Sequence, residues 1–441
     1  MKTTNRLNKF SRRYDMYNDN FEGQVKTHLS AIYTKASTLR LDKQLDLTNN
    51  IFKTIVCKIS RAYSFGITRE FTDENNEQVY KDLSINKTMK EANRYLNAFN
   101  DVLLQVSWDY STNKPRLIFR LPHKTKVELD EYDRPKEVEY FISKCGDGDK
   151  KEKWAYWSAT EHYYKIYDGE EVSVEYPEGN EEGTNPYKVL PFVFMQNGFR
   201  DGVFFDEYSG DDLAYITLDN SVYSTFKNYL IKWQSFKQLV VTGSNLGELK
   251  GQVMDPSTAL TASGQDVDIS LLDLQADLKQ LDETLQSAAN NVAINYNISP
   301  SQFRLTGNVS SGFAMKMENK PLDEFTEEQQ DDFRNYELAL FKLLQIVSEV
   351  NKSKINGGLV VTFNKPSYAE AKTDKLEANT TEIDLGLKSA SEIIAEERNI
   401  TIGEAKGILT ANLAERNTVY NKVEVNSGLN LNTTADDLGL N

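Results

Sequence analysis

The sequence has few residues of the kinds that mark secreted, metal-binding or membrane-spanning proteins. Two cysteines, Cys57 and Cys145, occur among 441 residues, far apart and without a C-x-x-C spacing. A disulfide framework or a structural zinc site is therefore not expected. The N-terminus lacks the apolar run of a signal peptide, and no stretch approaches the ~20 apolar residues of a membrane span. We expect a soluble protein that is made in a reducing cytoplasm and does not enter a membrane.

Motifs of the common catalytic and cofactor sites are also missing. The three histidines, His28, His123 and His162, lie in different regions and form no H-E-x-x-H motif. There is no P-loop, no G-x-G-x-x-G between a strand and a helix, and no G-x-S-x-G. Adjacent acids such as Asp331 and Asp332 diverge by about 100° on a helix, which favours a solvated face over a metal site. The sequence predicts no enzyme activity, no cofactor and no metal.

Composition and charge favour a folded chain that does not adhere to nucleic acid. The hydrophobic content is 39% with 11% aromatic residues, which is too rich for a disordered chain. A chain of this length is expected to form two to four subdomains. The formal net charge of −15 disfavours simple electrostatic binding to a phosphate backbone.

Two kinds of hydrophobic periodicity follow one another in the first half of the chain. Apolar residues near helical spacing between Leu41 and Ile59, and again over Glu91–Leu104, predict helices within residues 1–105. Residues 106–200 contain short runs rich in β-branched and aromatic residues, separated by turn signals such as Asp168-Gly169, which predicts a type I′ hairpin. The fold class predicted is α+β, predominantly helical, with an antiparallel β region.

The second half contains a helix, a short mixed insert and another helix. An amphipathic pattern predicts a helix over 211–235, and another begins at Leu271. The insert between them contains four glycines and one strand-like run, Gln238–Thr242. Further on, Asp323–Val350 has helical spacing and is followed by the strand-like GGLVVTFNKPS.

Two capping boxes predict helices near the C-terminus. Ser389 with Glu392, and Thr401 with Glu404, have the spacing in which the side chain at the helix start and the acid three residues later satisfy each other's backbone amides. The last fifteen or so residues are polar, and we expect them to be disordered.

The segment from Ser299 to Leu322, SPSQFRLTGNVSSGFAMKMENKPL, separates two long helical patterns. Its middle supplies the glycine, asparagine and serine of an exposed loop, and its second half places apolar groups and a cation where a linker would be polar. Ordinary connections between helices are shorter, and long ones are often functional. The sequence therefore predicts a functional loop here.

This arrangement resembles the portal proteins of tailed bacteriophages, the head-to-tail connector family. In that family a long helix is followed by a loop reading roughly G-N-x-S-G-x-A-x-K and then by a charged helix. The matching residues here, with one extra residue between the second and the third, are Gly307, Asn308, Ser311, Gly312, Ala314 and Lys316. The order helix, insert, helix is also that of the two stem helices and the clip of a portal protein.

The resemblance implies a portal fold with wing, stem, clip and crown regions, in a ring of twelve copies at one vertex of a phage capsid. The implied regions are 1–210 for the wing, with its β part at about 106–200; 211–235 and 271–298 for the stem helices; 236–270 for the clip; 299–322 for the tunnel loop; 323–368 for a long helix and a returning wing strand; and 369–441 for a small, crown-like helical region with a disordered tail.

The implied function is a DNA conduit for genome packaging and ejection, not an enzyme. By the same resemblance the partners are double-stranded DNA, the terminase motor, head-completion or adaptor proteins, and the major capsid and scaffolding proteins. The implied location is the portal vertex of the virion, after assembly in the host cytoplasm. Two other classes stay open at this point: a non-portal structural or adaptor protein, and an enzyme whose site is built from scattered acids.

Two sets of residues are candidates for the channel. The resemblance places these residues in the DNA-channel loop: Gly307, Asn308, Ser311, Gly312, Phe313, Lys316 and Lys320. The two glycines would act as hinges. The two lysines either contact phosphates or pair with Glu318 and Asp323.

The second set is acidic. Residues 236–299 contain eight acids and three bases, which is a net charge of −5. These acids form either an ordinary soluble face or, in a ring, a channel wall that repels DNA and lets it slide. The candidates for such a wall are Asp273, Asp277 and Glu283.

Overall fold

The computed structural model describes residues 2–34, 40–146, 148, 150–198, 202–206, 210–234, 238–244, 265–272, 278–299, 312–365, 372–398 and 400–427. The chain divides into two units. One comprises Met1–Asn308 with Glu318–Ser367, and the other Val309–Met317 with Tyr368–Asn441. The mixture of helices and antiparallel sheets confirms the predicted α+β class.

The first unit begins with a layer of helices. They are α1 (Lys2–Tyr17), α2 (Glu22–Ile32), α3 (Ile51–Ile59), α4 (Asn75–Asp82) and α5 (Ile85–Phe99), with strand β1 (Ile67–Phe71) between α3 and α4. Helix α3 starts where Asn50 Oδ1 accepts a hydrogen bond from the Lys53 amide at 3.0 Å, the usual N-cap arrangement.

The helix predicted over Glu91–Leu104 is five residues too long. Helix α5 ends at Phe99 because Asn100 adopts a left-handed conformation with φ of 65°, which terminates helices. The chain then continues as strand β2 (Asp101–Asp109). Val102 and Leu104 fit an apolar helical pattern equally well, so periodicity alone could not place the boundary.

The predicted antiparallel β region is confirmed. It consists of β2, β3 (Lys114–Arg120), β4 (Thr125–Leu129), β5 (Pro135–Cys145), β6 (Lys151–Ser158), β7 (His162–Asp168), β8 (Glu171–Glu175) and β9 (Phe192–Gln196). One sheet has the order β3-β2-β9 and the other β4-β5-β6-β7-β8. Tyr140 of the second sheet joins the two, because it accepts a hydrogen bond from Gln105 Nε2 at 3.3 Å and stacks against Arg120.

The hairpin between β7 and β8 differs in detail from the prediction. Asp168 pairs with Glu171, so the two loop residues are Gly169 and Glu170. A positive φ is found at Gly169 and not at Glu170, which corresponds to a type II′ turn with glycine in the first position. The predicted hairpin is therefore confirmed, but the predicted type I′ turn is wrong.

Two helices and a strand pair follow the sheets. They are α6 (Asp211–Gln234), β10 (Gln238–Ser244), β11 (Gln265–Leu272) and α7 (Leu278–Asn295). Strands β10 and β11 are antiparallel, with Gln238 opposite Leu272. The order helix, insert, helix predicted from the sequence is thus observed.

Most of the long helix α8 (Gly312–Val350) and strand β12 (Leu359–Phe363) complete the first unit. Strand β12 pairs with β1 in antiparallel register, Ile67 opposite Phe363. Tyr63, Phe333 and Phe363 form edge-to-face ring contacts at centroid distances of 5.2–5.4 Å. Helix α8 and strand β12 thereby pack into the N-terminal core.

The second unit contains α9 (Lys372–Asp384), α10 (Ala390–Arg398) and α11 (Ile402–Ser427). Both predicted capping boxes are confirmed. The Ser389 amide donates to Glu392 at 2.7 Å and the Thr401 amide to Glu404 at 3.0 Å, while each acid's own amide donates back to the hydroxyl. The polar tail beyond Ser427 lies outside the described residues.

Candidate functional site

Helices α6 and α7 form an antiparallel pair that leads to the β10–β11 strand pair. The Tyr296 hydroxyl, just beyond α7, donates to Asp212 at 2.7 Å, and Lys227 pairs with Asp282 at 2.5 Å. The two contacts are fifteen residues apart on α6 and fourteen on α7, so the helices run side by side over about 22 Å. Because the strand pair connects their other ends, the chain runs out along α6 and returns along α7.

The first turn of α6 is fixed to α1 by three cations that share one carboxylate. Asp211 lies 2.8 Å from Lys9, 3.0 Å from Arg13 and 3.4 Å from Arg12. Burial alone would raise the pKa of Asp211, but the hydrogen bonds from Lys9 and Arg13 outweigh it and the pKa is lowered. An acid in the first turn also complements the helix dipole.

Two buried threonines continue the anchoring of α6 along its length. Thr217 Oγ1 accepts a hydrogen bond from the Phe52 amide, and Thr225 Oγ1 accepts one from the Asp46 amide, both at 2.9 Å. Asp219, on the same stretch, is hydrogen-bonded to His28 at 2.6 Å. Further along, Asn228 donates to Asp46 at 2.8 Å and Lys232 donates to Gln44 at 2.7 Å. Helix α6 is therefore held against the N-terminal segment along most of its length.

Toward the strands the side chains of the helix pair become more exposed. Leu213 and Val222 are buried, whereas Ile231 is 39% exposed. On α7, whose residues are all described, Ala293 is the only buried one, and Leu281 and Leu285 are half-buried. The half of the pair nearer the strands is thus less buried than the other half, although α6 keeps its contacts with residues 44 and 46 there.

The second helix of the pair starts later than predicted. The sequence pattern placed its start at Leu271, but Leu271 and Leu272 belong to β11, opposite Leu239 and Gln238. The alternation of Val267, Ile269 and Leu271 with polar residues is the strand signal that the prediction missed. The region assigned to the clip therefore extends at least to Leu272.

The structure describes only part of the predicted DNA-channel loop. Gly307, Asn308 and Ser311 lie outside the described residues. Gly312 is the first residue of α8, and Phe313 and Lys316 follow within that helix, as does Lys320.

The loop boundary predicted at Leu322 is therefore wrong. Helix α8 begins eleven residues before the predicted Asp323, because the residues after Gly312 are good helix formers. Pro321 lies inside the helix. Gly312 therefore occupies a helical position and not the loop hinge that was predicted.

Two of the predicted charges that the structure describes, Lys320 and Glu283, have ordinary partners. Lys320 lies 3.8 Å from Glu324, one helical turn away, and both are exposed. Asp323, which had been considered as its partner, instead pairs with Arg61 at 3.2 Å. Glu283 is exposed on α7 and lies 3.7 Å from Lys279. The other two wall candidates, Asp273 and Asp277, lie outside the described residues.

A buried polar network that holds α8 was not foreseen. Gln329 accepts a hydrogen bond from Asn93 at 3.0 Å and donates one to Asn97 at 2.7 Å. The next residue, Gln330, donates to the backbone carbonyl of Ala62 at 3.1 Å. These bonds fix the rotation and the position of α8 against the α3–α5 layer.

The network ends in a buried ion pair. Glu337, which is 0% exposed, accepts hydrogen bonds from Tyr63 at 2.8 Å and from Arg69 at 2.5 and 3.0 Å. Burial, followed by the negative charge of Glu337, raises the pKa of Tyr63 far above its ordinary value, which keeps the phenol a donor. The sequence contains a signal for this buried pair, because the charged Glu337 interrupts the row of apolar residues on α8 that includes Phe333 and Leu340.

The histidines and acids of the described residues do not form a recognisable catalytic or metal site. His123 packs on Tyr14, and His162 stacks on Trp157 at a centroid distance of 3.6 Å. Within the part of the chain that the structure describes, there is no group of three potential metal ligands. Nor does any helix in that part combine the length and the apolar character that a bilayer span needs.

Comparison with known proteins gives structural similarities alone. No protein-family model and no curated protein matches the chain. Among solved structures, a chain from the virion of a native gene transfer agent particle has 12% identity and a TM-score of 0.41, over 80% of this chain and 90% of that one.

Chains from the necks of such particles are similar to the same degree. One is from an empty particle, computed with C6 symmetry (12% identity, TM-score 0.42, 80% of this chain and 89% of that one). Another is from a native particle, computed with C12 symmetry (11%, 0.40, 78% and 88%). At this level of similarity the function has to be argued from the chain's own residues.

Proposed function

We propose that this chain is the subunit of a portal-type ring, a conduit through which double-stranded DNA enters and leaves a phage-like capsid. The observation that carries the proposal is the antiparallel pair α6–α7, whose first helix is anchored along its length to the N-terminal segment and whose two helices are joined by the strands β10 and β11. The same chain order, with a long connection and a long helix after it, is what the sequence resemblance to portal proteins led us to expect.

The exposure of the helix pair supports a ring. Tyr223 and Ile231 on α6 are 43% and 39% exposed, and Ile294 on α7 is 53% exposed. Apolar groups repeated along one projecting element favour a partner surface. In a cyclic assembly each pair lies beside the pair of the next copy, and the contact is between two different faces, which allows closure. Twelve copies is the number that the resemblance implies.

The regions then take the following roles in the proposal. The helix pair is the stem, and the strand pair with residues 245–264 between its strands is the clip that docks the terminase and later the head-completion proteins. Residues 299–311 and the start of α8 line the channel, where Lys316 and Lys320 meet phosphates. Glu283 and its acidic neighbours keep the wall repulsive to DNA. The packaging ATPase is a separate protein.

Native mass and negative-stain images of the purified protein test the ring directly. We expect a ring close to twelve times 50.3 kDa. Tyr223→Lys combined with Ile231→Lys should yield folded monomers, because the charges cannot be buried between copies. Val360→Lys, at a 60% exposed position of β12, is the matched control and should leave the ring intact. A wild-type monomer at micromolar concentration would refute the proposal.

A further inference from the structure

Strand β8 is the edge of the five-stranded sheet, and within the described residues its outer side has no partner. The sheet order β4-β5-β6-β7-β8 leaves β8 paired with β7 alone, and all five of its residues are exposed. An open edge presents unpaired backbone groups that another strand can bind. Natural edges are usually blocked by proline, bulges or charged side chains, and of these Glu171–Glu175 contains only its two terminal glutamates.

The register identifies which backbone groups of β8 point outward. The residues that flank a two-residue hairpin loop exchange both of their backbone hydrogen bonds, and here these are Asp168 and Glu171. Along an antiparallel pair such bonding alternates, so Ser173 and Glu175 also bond inward to β7. The amides and carbonyls of Val172 and Val174 therefore point away from the sheet.

The side chains of the same residues form an apolar row. Val172 and Val174 are 52% and 50% exposed, and Tyr176 continues the row at 49%. The opposite face of the strand carries Glu171 and Glu175. An added strand would thus meet valine side chains on one face and carboxylates on the other.

Charge selects the kind of strand that fits. From Asp168 to Glu182 the chain has seven acids and no base. Glu175 pairs with Lys153 at 2.6 Å, whereas Lys151, the cation that interacts with Glu171, forms its ion pair with Asp168 at 2.9 Å. Two β8 edges of identical copies would repel each other, so self-pairing through this edge is disfavoured.

We propose that the outer edge of β8 is a strand-addition site for an extended segment of a partner protein in which β-branched residues alternate with lysine or arginine. The partner's apolar residues pair with Val172 and Val174, and its cations lie on the face of Glu171. Backbone hydrogen bonds supply the affinity, and the alternation supplies the specificity. This inference is independent of the ring.

A titration of the full-length protein with short synthetic peptides tests it. The probe is a blocked heptapeptide of alternating lysine and valine. Its controls are the glutamate–valine equivalent and a peptide of the same charge whose central valine is proline, which cannot pair as a strand. We expect binding of the first peptide and at least tenfold weaker binding of both controls.

Variants of the protein locate the site. Val174→Pro should weaken binding at least tenfold and leave the fold intact, because the lost amide points outward and not to β7. Val174→Lys keeps that amide and should also weaken binding, through repulsion. Glu171→Lys should weaken it about twofold to fivefold, since one exposed charge contributes up to about 1 kcal/mol. Glu178→Lys, an acid outside the strand, is the control and should change it less than twofold.

Each contrary outcome overturns the proposal. Failure of the lysine–valine peptide to bind, equal binding of the proline peptide, or equal binding by Val174→Pro would each exclude strand addition at this edge. If instead Val174→Pro abolishes self-association of the protein while no peptide binds, the edge belongs to a contact between copies of this chain.

Discussion

Removing the carboxylate of Glu337 should be the most destabilising single change within the polar network that holds α8. In Glu337→Ala, the guanidinium of Arg69 and the hydroxyl of Tyr63 lose their acceptor, while the Arg69 side chain remains only 10% exposed. Leaving one partner of a buried ion pair uncompensated costs about 3–5 kcal/mol. Glu337→Gln keeps the shape and an acceptor but not the charge, and should cost about 1.5–3 kcal/mol.

Hydrogen exchange read by mass spectrometry is the appropriate assay, because a chain with two units need not unfold in one step. Peptides that cover β1, β12 and the middle of α8 should lose protection together. A loss of 3 kcal/mol corresponds to an increase of about a hundredfold in the opening equilibrium. The C-terminal unit, which has its own helices, should be unaffected.

Two further variants decide whether the reasoning is correct. Glu77→Ala breaks the exposed pair with Lys81 on α4 and should change protection by less than about 0.5 kcal/mol. Arg69→Met combined with Glu337→Leu removes both charges and should recover most of the stability. If Glu337→Ala had no larger effect than Glu77→Ala, the buried pair would not be what holds β1 and α8 together.

Three other changes have defined outcomes. Burial, with a smaller effect from Lys124, lowers the pKa of His123 to about 4; since this is below the unfolded value, stability should be full above pH ~6.5 and fall as the pH drops toward 4. His123→Phe should flatten that dependence in thermal melts, and an unchanged profile would contradict it. Ser389→Ala should destabilise α10 by about 1 kcal/mol, whereas Ser389→Asp, which keeps a cap, should not, as measured by exchange of the α10 amides. Deleting residues 243–264 should leave rings that no longer package DNA, and normal packaging would remove the clip assignment.

The sequence predicted those features that depend on neighbours in the chain. The strands between 106 and 200, helix α6 and the two capping boxes have local signals, and all were observed. The starts of α7 and α8 were misplaced for two different reasons. The residues around Leu271 fit both a helical and a strand pattern, and their pairing with β10 decides for the strand. The residues after Gly312 have the composition of a loop with apolar groups, but their helix propensity extends α8 to Gly312. The partners Arg69 and Glu337 are 268 positions apart, and no local pattern links them.

The candidate site was predicted less well than the fold. Its channel residues came from a resemblance over a short motif, and Glu283, which is described, forms only an exposed ion pair. The anchoring of α6 through Asp211 to cations on α1 was not foreseen. A carboxylate in a first helical turn has an ordinary explanation in the dipole, and nothing in the sequence near it points to α1.

The pairing of β1 with β12 has a consequence for the synthesis of this protein. Ile67 leaves the ribosome 296 residues before its partner Phe363, an interval on the order of 15–60 s at typical elongation rates. Throughout that interval both edges of β1 lack a partner strand, and Arg69 lacks the carboxylate of Glu337, its later partner in the ion pair. The N-terminal helices and the sheets can form early, but the core that they share with α8 closes only after Phe363 has been synthesised. Premature termination anywhere before Glu337 therefore yields a chain with an unfinished core, a natural target for chaperones and proteases.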